Sequence, residues 1–138
     1  MTELKKFHIL IAEDDSDDAE IIQESFEKNT FFSKVDIVKN GQELIDFLSS
    51  CNGNLPQVIL TDINMPIMNG IEAMAKIHAN PELGDIACFV YSTTIDPVYK
   101  ARCIKYGTKG FIIKPFSLQD FNEIPAKILA ILNQEYSD

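Results

Sequence analysis

Short apolar runs and stretches of helical periodicity alternate along this chain five times over. The runs fall at 9–12, 35–38, 58–60, 87–91 and 111–113. Most are continuous rather than alternating, as expected of parallel strands covered on both faces. The second carries Asp36 in its middle and alternates more, which suits an edge strand.

The segments between them read as helices. Ile21, Ile22, Ser25 and Phe26 share one helical face, with Ser16 placed to cap it ahead of Asp17 and Asp18. Leu44, Ile45, Phe47 and Leu48 form a second stripe, begun by the Asn40-Gly41 turn. Ile71, Met74 and Ile77 form a third, closed by Asn80-Pro81. A fourth opens with Asp96 as cap and Pro97 at the first helical position, and stops at Gly107. The fifth starts at Ser117, with Asp120 three residues on, and presents Leu118, Phe121, Ile124, Ile128 and Leu132. Pro125 lies inside that pattern and predicts a kink or a split.

Five strands alternating with five helices predict an α/β domain. Its architecture is a doubly wound, five-stranded parallel sheet of order 2-1-3-4-5, the flavodoxin-like (βα)5 arrangement. The 138 residues suit one domain, spanning 1–138 with a core at about 7–132 and no output domain. No apolar run is long enough to cross a membrane, and residues 1–6 carry no secretion signal. Cys51, Cys88 and Cys103 lack metal-binding spacing and read as reduced packing thiols in a cytoplasmic protein. A formal net charge of −9 argues against nucleic acid as a partner, because phosphate binding needs a basic face.

In such sheets ligands sit beyond the carboxyl ends of the strands, where strand order reverses. Four of the five runs end there in reactive residues: Glu13-Asp14-Asp15, Thr61-Asp62, Ser92-Thr93-Thr94 and Lys114-Pro115. With strands one and three adjacent, Glu13, Asp14 and Asp62 converge, and Ser92 and Lys114 lie beside them. Crowded carboxylates favour a compensating cation, and Mg²⁺ takes one or two of them together with waters and a phosphate oxygen. An Asp carboxylate can act as nucleophile and carry an acyl phosphate. Lys114 supplies a point charge for a phosphate oxygen, and the Ser92 hydroxyl a hydrogen bond for another. His8 and His78 sit away from the strand ends and read as surface or packing residues.

The joint pattern resembles the receiver domain of two-component response regulators from about Phe7 to about Leu132. Its segment Asp62-Ile63-Asn64-Met65-Pro66-Ile67-Met68-Asn69-Gly70 is similar to that of the stand-alone, chemotaxis-type receivers. The resemblance implies that Asp62 is the phosphoacceptor, and that Lys114 is the partner lysine, usually joined to proline by a cis bond. It makes Asp14 the direct Mg²⁺ ligand, Glu13 a ligand through water, and the Asn64 backbone carbonyl a further member of the metal shell. Asp15 competes for Asp14's role, and the strand register from Ile9 to Ala12 favours Asp14. Ser92 and Phe111 match the switch pair, and Gly70 fits the turn before the third helix. The implied protein is a switch that catalyses only its own phosphorylation and dephosphorylation. It takes phosphate from a histidine kinase or histidine phosphotransfer protein and signals to an unnamed downstream protein. Thr93 stands where the family favours a small residue, and Pro125 is unusual in the last helix. An aspartyl phosphatase of the haloacid dehalogenase type fits less well, because its nucleophile ends the first strand. A receiver-like interaction module with a dead pocket is disfavoured by the intact Asp62, Lys114 and Ser92 set.

Overall fold

The computed structural model describes residues 7–94 and 96–136, with side chains as far as residue 133. The cationic start at 1–6 and the last two residues of the tail lie outside the described residues. Among those described, β1 (Phe7–Ala12), β2 (Phe32–Val38), β3 (Val58–Asp62), β4 (Ala87–Ser92) and β5 (Gly110–Ile113) pair in parallel in the order β2-β1-β3-β4-β5. The edge position of β2 matches the polar residue inside its run. The intervening helices are α1 (Ser16–Glu27), α2 (Gly41–Ser49), α3 (Gly70–Ala79) and α4 (Pro97–Lys105), with a 3-10 turn at Pro81–Leu83.

Side chains alternate across the sheet, so each face has its own core. Ile9, Ile11, Val58, Leu60, Phe89, Tyr91 and Ile112 cluster with Ile22 and Phe26 of α1 and with Ile124, Ile128 and Leu132 near the end of the chain. Leu10, Ala12, Ile59, Cys88 and Val90 pack on the other face with Leu44, Leu48, Ile71, Met74, Ile77 and Cys103. Cys88 and Cys103 are buried free thiols, and burial pushes the Cys88 thiol up to about 12, which makes it a packing residue rather than a reactive one. His8 is paired with Asp36 at 2.7 Å at the start of β1, and His78 is exposed near the Tyr106 ring.

Capping follows the sequence at most helix starts. Asp96 and Ser117 cap as expected, Asn40 of the Asn40-Gly41 turn caps α2, and Asn69 with Glu72 forms a full capping box on α3. α1 differs. Asp15, not Ser16, is its cap: the Asp15 backbone is extended (φ −80°, ψ 120°) and its Oδ1 accepts the Asp18 N–H at 2.9 Å. Ser16 is then the first helical residue.

Pro125 splits the last helical pattern into α5 (Leu118–Phe121) and α6 (Ile124–Tyr136). Proline is accommodated in the first turn of α6, where its missing N–H breaks no intrahelical bond. The break removes Leu118 from the apolar face and leaves it 58% exposed, whereas Phe121 and Ile124 remain buried. α6 also runs beyond Leu132, to Tyr136.

Candidate functional site

Residues at positions of one parity share a face of a parallel sheet, and this decides which strand-end groups meet. Glu13 continues the series Ile9, Ile11; Asp62 continues Val58, Leu60; Tyr91 continues Ala87, Phe89; and Lys114 follows Ile112. All four therefore lie at the carboxyl ends of their strands on the face covered by α1 and α6. Backbone bonds extend the ladder to hold them: Glu13 N–H donates to Val38 O at 2.9 Å, and Lys114 N–H to Ser92 O at 2.8 Å.

Asp62 closes β3 and leads into a tight connection to α3. Gly70 is the first residue of α3, and a Cβ there would stand 2.1 Å from the Asp62 carbonyl oxygen, so only glycine allows this approach. Gly70 N–H donates to Ile63 O at 2.9 Å, closing the loop around buried Met65 and Met68. At its tip Met68 N–H donates to Pro66 O at 2.7 Å, and Ile67 takes φ 69°, a conformation uncommon for a β-branched residue.

The ammonium of Lys114 occupies the centre of the site. Its Nζ lies 2.6 Å from Glu13 Oε1, 2.9 Å from Asp62 Oδ2 and 3.1 Å from Asp18 Oδ2. Lys114, Glu13 and Asp62 are buried, with exposures of 7%, 1% and 6%. Asp62 Oδ1 accepts the Ile63 N–H at 2.7 Å. Burial raises the Asp62 pKa, and Glu13 adds to that rise, against the opposing hydrogen bond and charge of Lys114. Burial alone would lower the Lys114 pKa, but hydrogen bonds to Glu13 and Asp62 and their charges outweigh it and raise it. The lysine is a fixed cation at any physiological pH.

The carboxylate oxygens of Glu13, Asp14 and Asp62 lie within 4.8 Å of one another, with Asp14 exposed. Three hard oxygen donors around one lysine leave excess negative charge, a donor set suited to a divalent cation such as Mg²⁺. Asp15 is not part of this group; its side chain is spent on the helix cap. Asn64 is exposed two residues beyond Asp62, and among the described residues no backbone hydrogen bond ends on its carbonyl.

Ser92 and Phe111 fall on the opposite parity, toward α4. Ser92 is 1% exposed, and among the described residues no side-chain hydrogen bond joins it to Asp62. Phe111 is half-buried opposite Val90, with the Lys100 ammonium of α4 5.5 Å from its ring centroid. Thr93 is exposed just past β4. No peptide bond among the described residues is cis, Lys114–Pro115 included, unlike the isomer that the resemblance implies; the preference between the two isomers before proline is only about 0.5–1 kcal/mol.

Two residues of the site carried no signal in the strand-end reading. Asp18 reaches Lys114 from the first turn of α1, one turn beyond the acidic run. Tyr91, 0% exposed, donates its hydroxyl to Glu13 Oε1 at 2.5 Å, and its ring centroid lies 5.1 Å from Lys114 Nζ. Burial, reinforced by the Glu13 carboxylate, raises the Tyr91 pKa well above the ordinary phenol range, so the hydroxyl stays a donor. Parity within its own run puts Tyr91 on the same face as Phe89, but its pairing with Asp62 comes from the sheet register.

Comparison with known proteins agrees with this geometry. The response regulator receiver domain family matches residues 9–125. The chain is similar to the two-component response regulator ORR11 of Oryza sativa, with 28% identity over 124 residues covering 88% of this chain and 80% of that protein. Among solved structures it is similar to the phosphorylated cyanobacterial phytochrome response regulator RcpA, with a TM-score of 0.81, 29% identity and 91% of each chain covered. It is also similar to the Mn²⁺-bound form of response regulator Rcp1, with a TM-score of 0.77 and 26% identity over 86% of this chain and 88% of that one. With its 2-1-3-4-5 sheet and the matched residues spanning nearly all of it, the chain belongs to the response regulator receiver domain family, whose members are phosphorylated by histidine kinases or phosphotransfer proteins in two-component signalling.

Proposed function

We propose that this receiver is a Mg²⁺-dependent switch in which Asp62 accepts the phosphoryl group. The supporting observation is the buried contact of Lys114 Nζ with Asp62 Oδ2 at 2.9 Å, beside the cluster of Glu13, Asp14 and Asp62. An oxygen of Asp62 attacks the phosphorus of a phosphohistidine on the sensor kinase or relay protein. A P–O bond forms, the P–N bond breaks, and its electron pair passes to the imidazole nitrogen, which takes up a proton. In the second half of the cycle water attacks the same phosphorus and gives up a proton to solvent, the P–O bond to Asp62 breaks with its electron pair returning to the carboxylate, and inorganic phosphate is released. The chain thus acts only on itself rather than on a metabolic substrate.

Asp14 and Asp62 are the residues to hold Mg²⁺ directly, with Glu13 through water and Asn64 through its backbone carbonyl. When bound, the ion supplies charge neutralisation for the phosphoryl oxygens. Lys114 stays protonated and offers its ammonium to a phosphate oxygen, keeping one proton fixed at the site. Its ties to Glu13 and Asp18 keep it over Asp62 before phosphate arrives. The Ser92 hydroxyl donates to another phosphate oxygen only in the phosphorylated state. A ligand shifts an equilibrium through such differential contacts. Ser92 and Phe111 share the α4 side of the sheet, so movement of the one reaches the packing of the other. The readout is a protein-docking face made by α4, β5 and the end of the chain.

Among the described residues no helix is long and apolar enough to cross a membrane. Labelling with radioactive acetyl phosphate tests the reading. Wild type should take up hydroxylamine-labile phosphate in the presence of Mg²⁺, and Asp62→Asn should not, with its fold intact by circular dichroism. Wild-type labelling that persists in Asp62→Asn would remove Asp62 from this role. A folded wild type that takes up no label would mark a pure interaction module.

A further inference from the structure

Tyr91 touches both sides of the charged site at once, and the acceptor role of Asp62 does not account for it. Its hydroxyl reaches Glu13 across 78 positions of sequence, and its ring lies under the Lys114 ammonium. Glu13 is 1% exposed, so water does not set the orientation of its carboxylate. Protein donors do. Oε1 receives the Tyr91 hydroxyl at 2.5 Å and the Lys114 ammonium at 2.6 Å, and Oε2 receives the Asp15 N–H at 3.1 Å. An ionised carboxylate has about four acceptor sites, so about one remains for a further donor such as a metal-bound water.

Of the three donors, two serve other duties. The lysine sits on a flexible stem, is shared with Asp62 and Asp18, and must turn to a phosphate when one arrives. The Asp15 N–H belongs to the turn into α1. Tyr91 is the rigid member: it has a planar ring, is wholly buried among Ile9, Ile11, Phe89 and Ile112, and pairs with Asp62 in the sheet register. It can hold Glu13 in one place whether or not Lys114 moves.

We propose that Tyr91 is a positioning residue for the divalent-cation site, fixing the Glu13 carboxylate so that its remaining acceptor site is aimed at a metal-bound water. The inference rests on the Mg²⁺ reading above and adds a residue to it. Groups that orient metal ligands by hydrogen bonds typically change metal affinity by about 10–100-fold when removed. Tyr91→Phe deletes one oxygen and keeps the ring in its core position.

The test is Mg²⁺ binding to the unphosphorylated protein by titration calorimetry. Tyr91→Phe should bind Mg²⁺ at least about tenfold more weakly than wild type. Its maximal acetyl-phosphate labelling should return at saturating Mg²⁺, because the nucleophile and lysine are untouched. In the double variant with Glu13→Gln, Tyr91→Phe should add little further loss, since the hydroxyl acts through Glu13. A merely structural role would lower stability without this dependence on Glu13. Affinity unchanged in a folded Tyr91→Phe, or full additivity with Glu13→Gln, overturns the proposal. Should Tyr91→Phe fail to fold, wild type carrying 3-fluorotyrosine decides: the ¹⁹F signal of Tyr91 should follow Mg²⁺, and a silent signal overturns it. A wild type that binds no Mg²⁺ sinks the metal reading and this inference together. A wild type that binds Mg²⁺, with an indifferent Tyr91→Phe, sinks only the latter.

Discussion

Replacing Lys114 with methionine removes one ammonium from between three carboxylates while keeping most of the side-chain volume. Two of its partners, Glu13 and Asp62, are buried, and the third, Asp18, is 30% exposed at its side chain. Deleting one member of a buried, hydrogen-bonded pair costs about 3–5 kcal/mol, because the opposite charge stays behind unpaired. The exposed Asp18 contact adds little to this, as solvent screens it. Typical domains are stable by about 5–15 kcal/mol, so Lys114→Met should still fold at neutral pH and can be measured. Urea unfolding followed by circular dichroism should show a lower midpoint with an unchanged slope.

The pH dependence fixes the sign. The folded Lys114 pKa is raised, so its stabilisation is fully present below the unfolded lysine value and is lost only as pH climbs through the folded one. Neutral and acidic conditions therefore leave the wild-type ammonium in place. Asp62 also has a raised pKa, which for a carboxylate means that stability increases as pH falls through the folded value. Without Lys114 that pKa rises further, and proton uptake then relieves the variant more than wild type. The gap between the two should narrow in mildly acidic buffer, and Mg²⁺ should narrow it at neutral pH. A loss below about 1 kcal/mol, the size of an exposed ion pair, or a gap indifferent to both acid and Mg²⁺, would refute the buried-cation reasoning.

Two further outcomes follow from the site. Asp14→Ala should abolish Mg²⁺-dependent labelling, whereas Asp15→Ala should cost about 1 kcal/mol of stability through the lost helix cap and leave labelling in place; reversed effects in the labelling assay would put the metal register one residue on. Ser92→Ala should still accept phosphate at Asp62 yet lose most of the beryllofluoride-induced amide shifts at 106–116, and shifts equal to wild type would break the link between Ser92 and Phe111.

How much of this was legible beforehand depends on the kind of interaction. The strands and their ends follow from continuous apolar runs, because a strand buried on both faces has no polar alternative, and the sheet order from the doubly wound class that alternating strands and helices imply. Glu13 and Lys114 were readable because each directly follows an apolar run, and Asp62 because it lies one residue past another. The α1 cap was misread because Asp15 and Ser16 are nearly equal cap formers, and only the extended backbone at Asp15 separates them. Pro125 announced a break, but its consequence, an exposed Leu118, depends on where the chain resumes its helix. Asp18 escaped because it arrives from a helix, and nothing local in the sequence tells a first-turn carboxylate of the lysine it will meet. Tyr91 escaped for a different reason: an aromatic at the end of an apolar run reads as core, which it is, and only its hydroxyl belongs to the site.

The central claim is that Asp62 is the residue phosphorylated. Acyl phosphates are reduced by borohydride to the corresponding alcohol, so an aspartyl phosphate becomes homoserine that peptide mass spectrometry can locate. Protein labelled with acetyl phosphate and Mg²⁺ and then reduced should carry homoserine at position 62 and leave Glu13, Asp14 and Asp18 unmodified. Homoserine at position 14 or 18, or acid-labile phosphate on His8 or His78 with position 62 unchanged, would contradict the assignment.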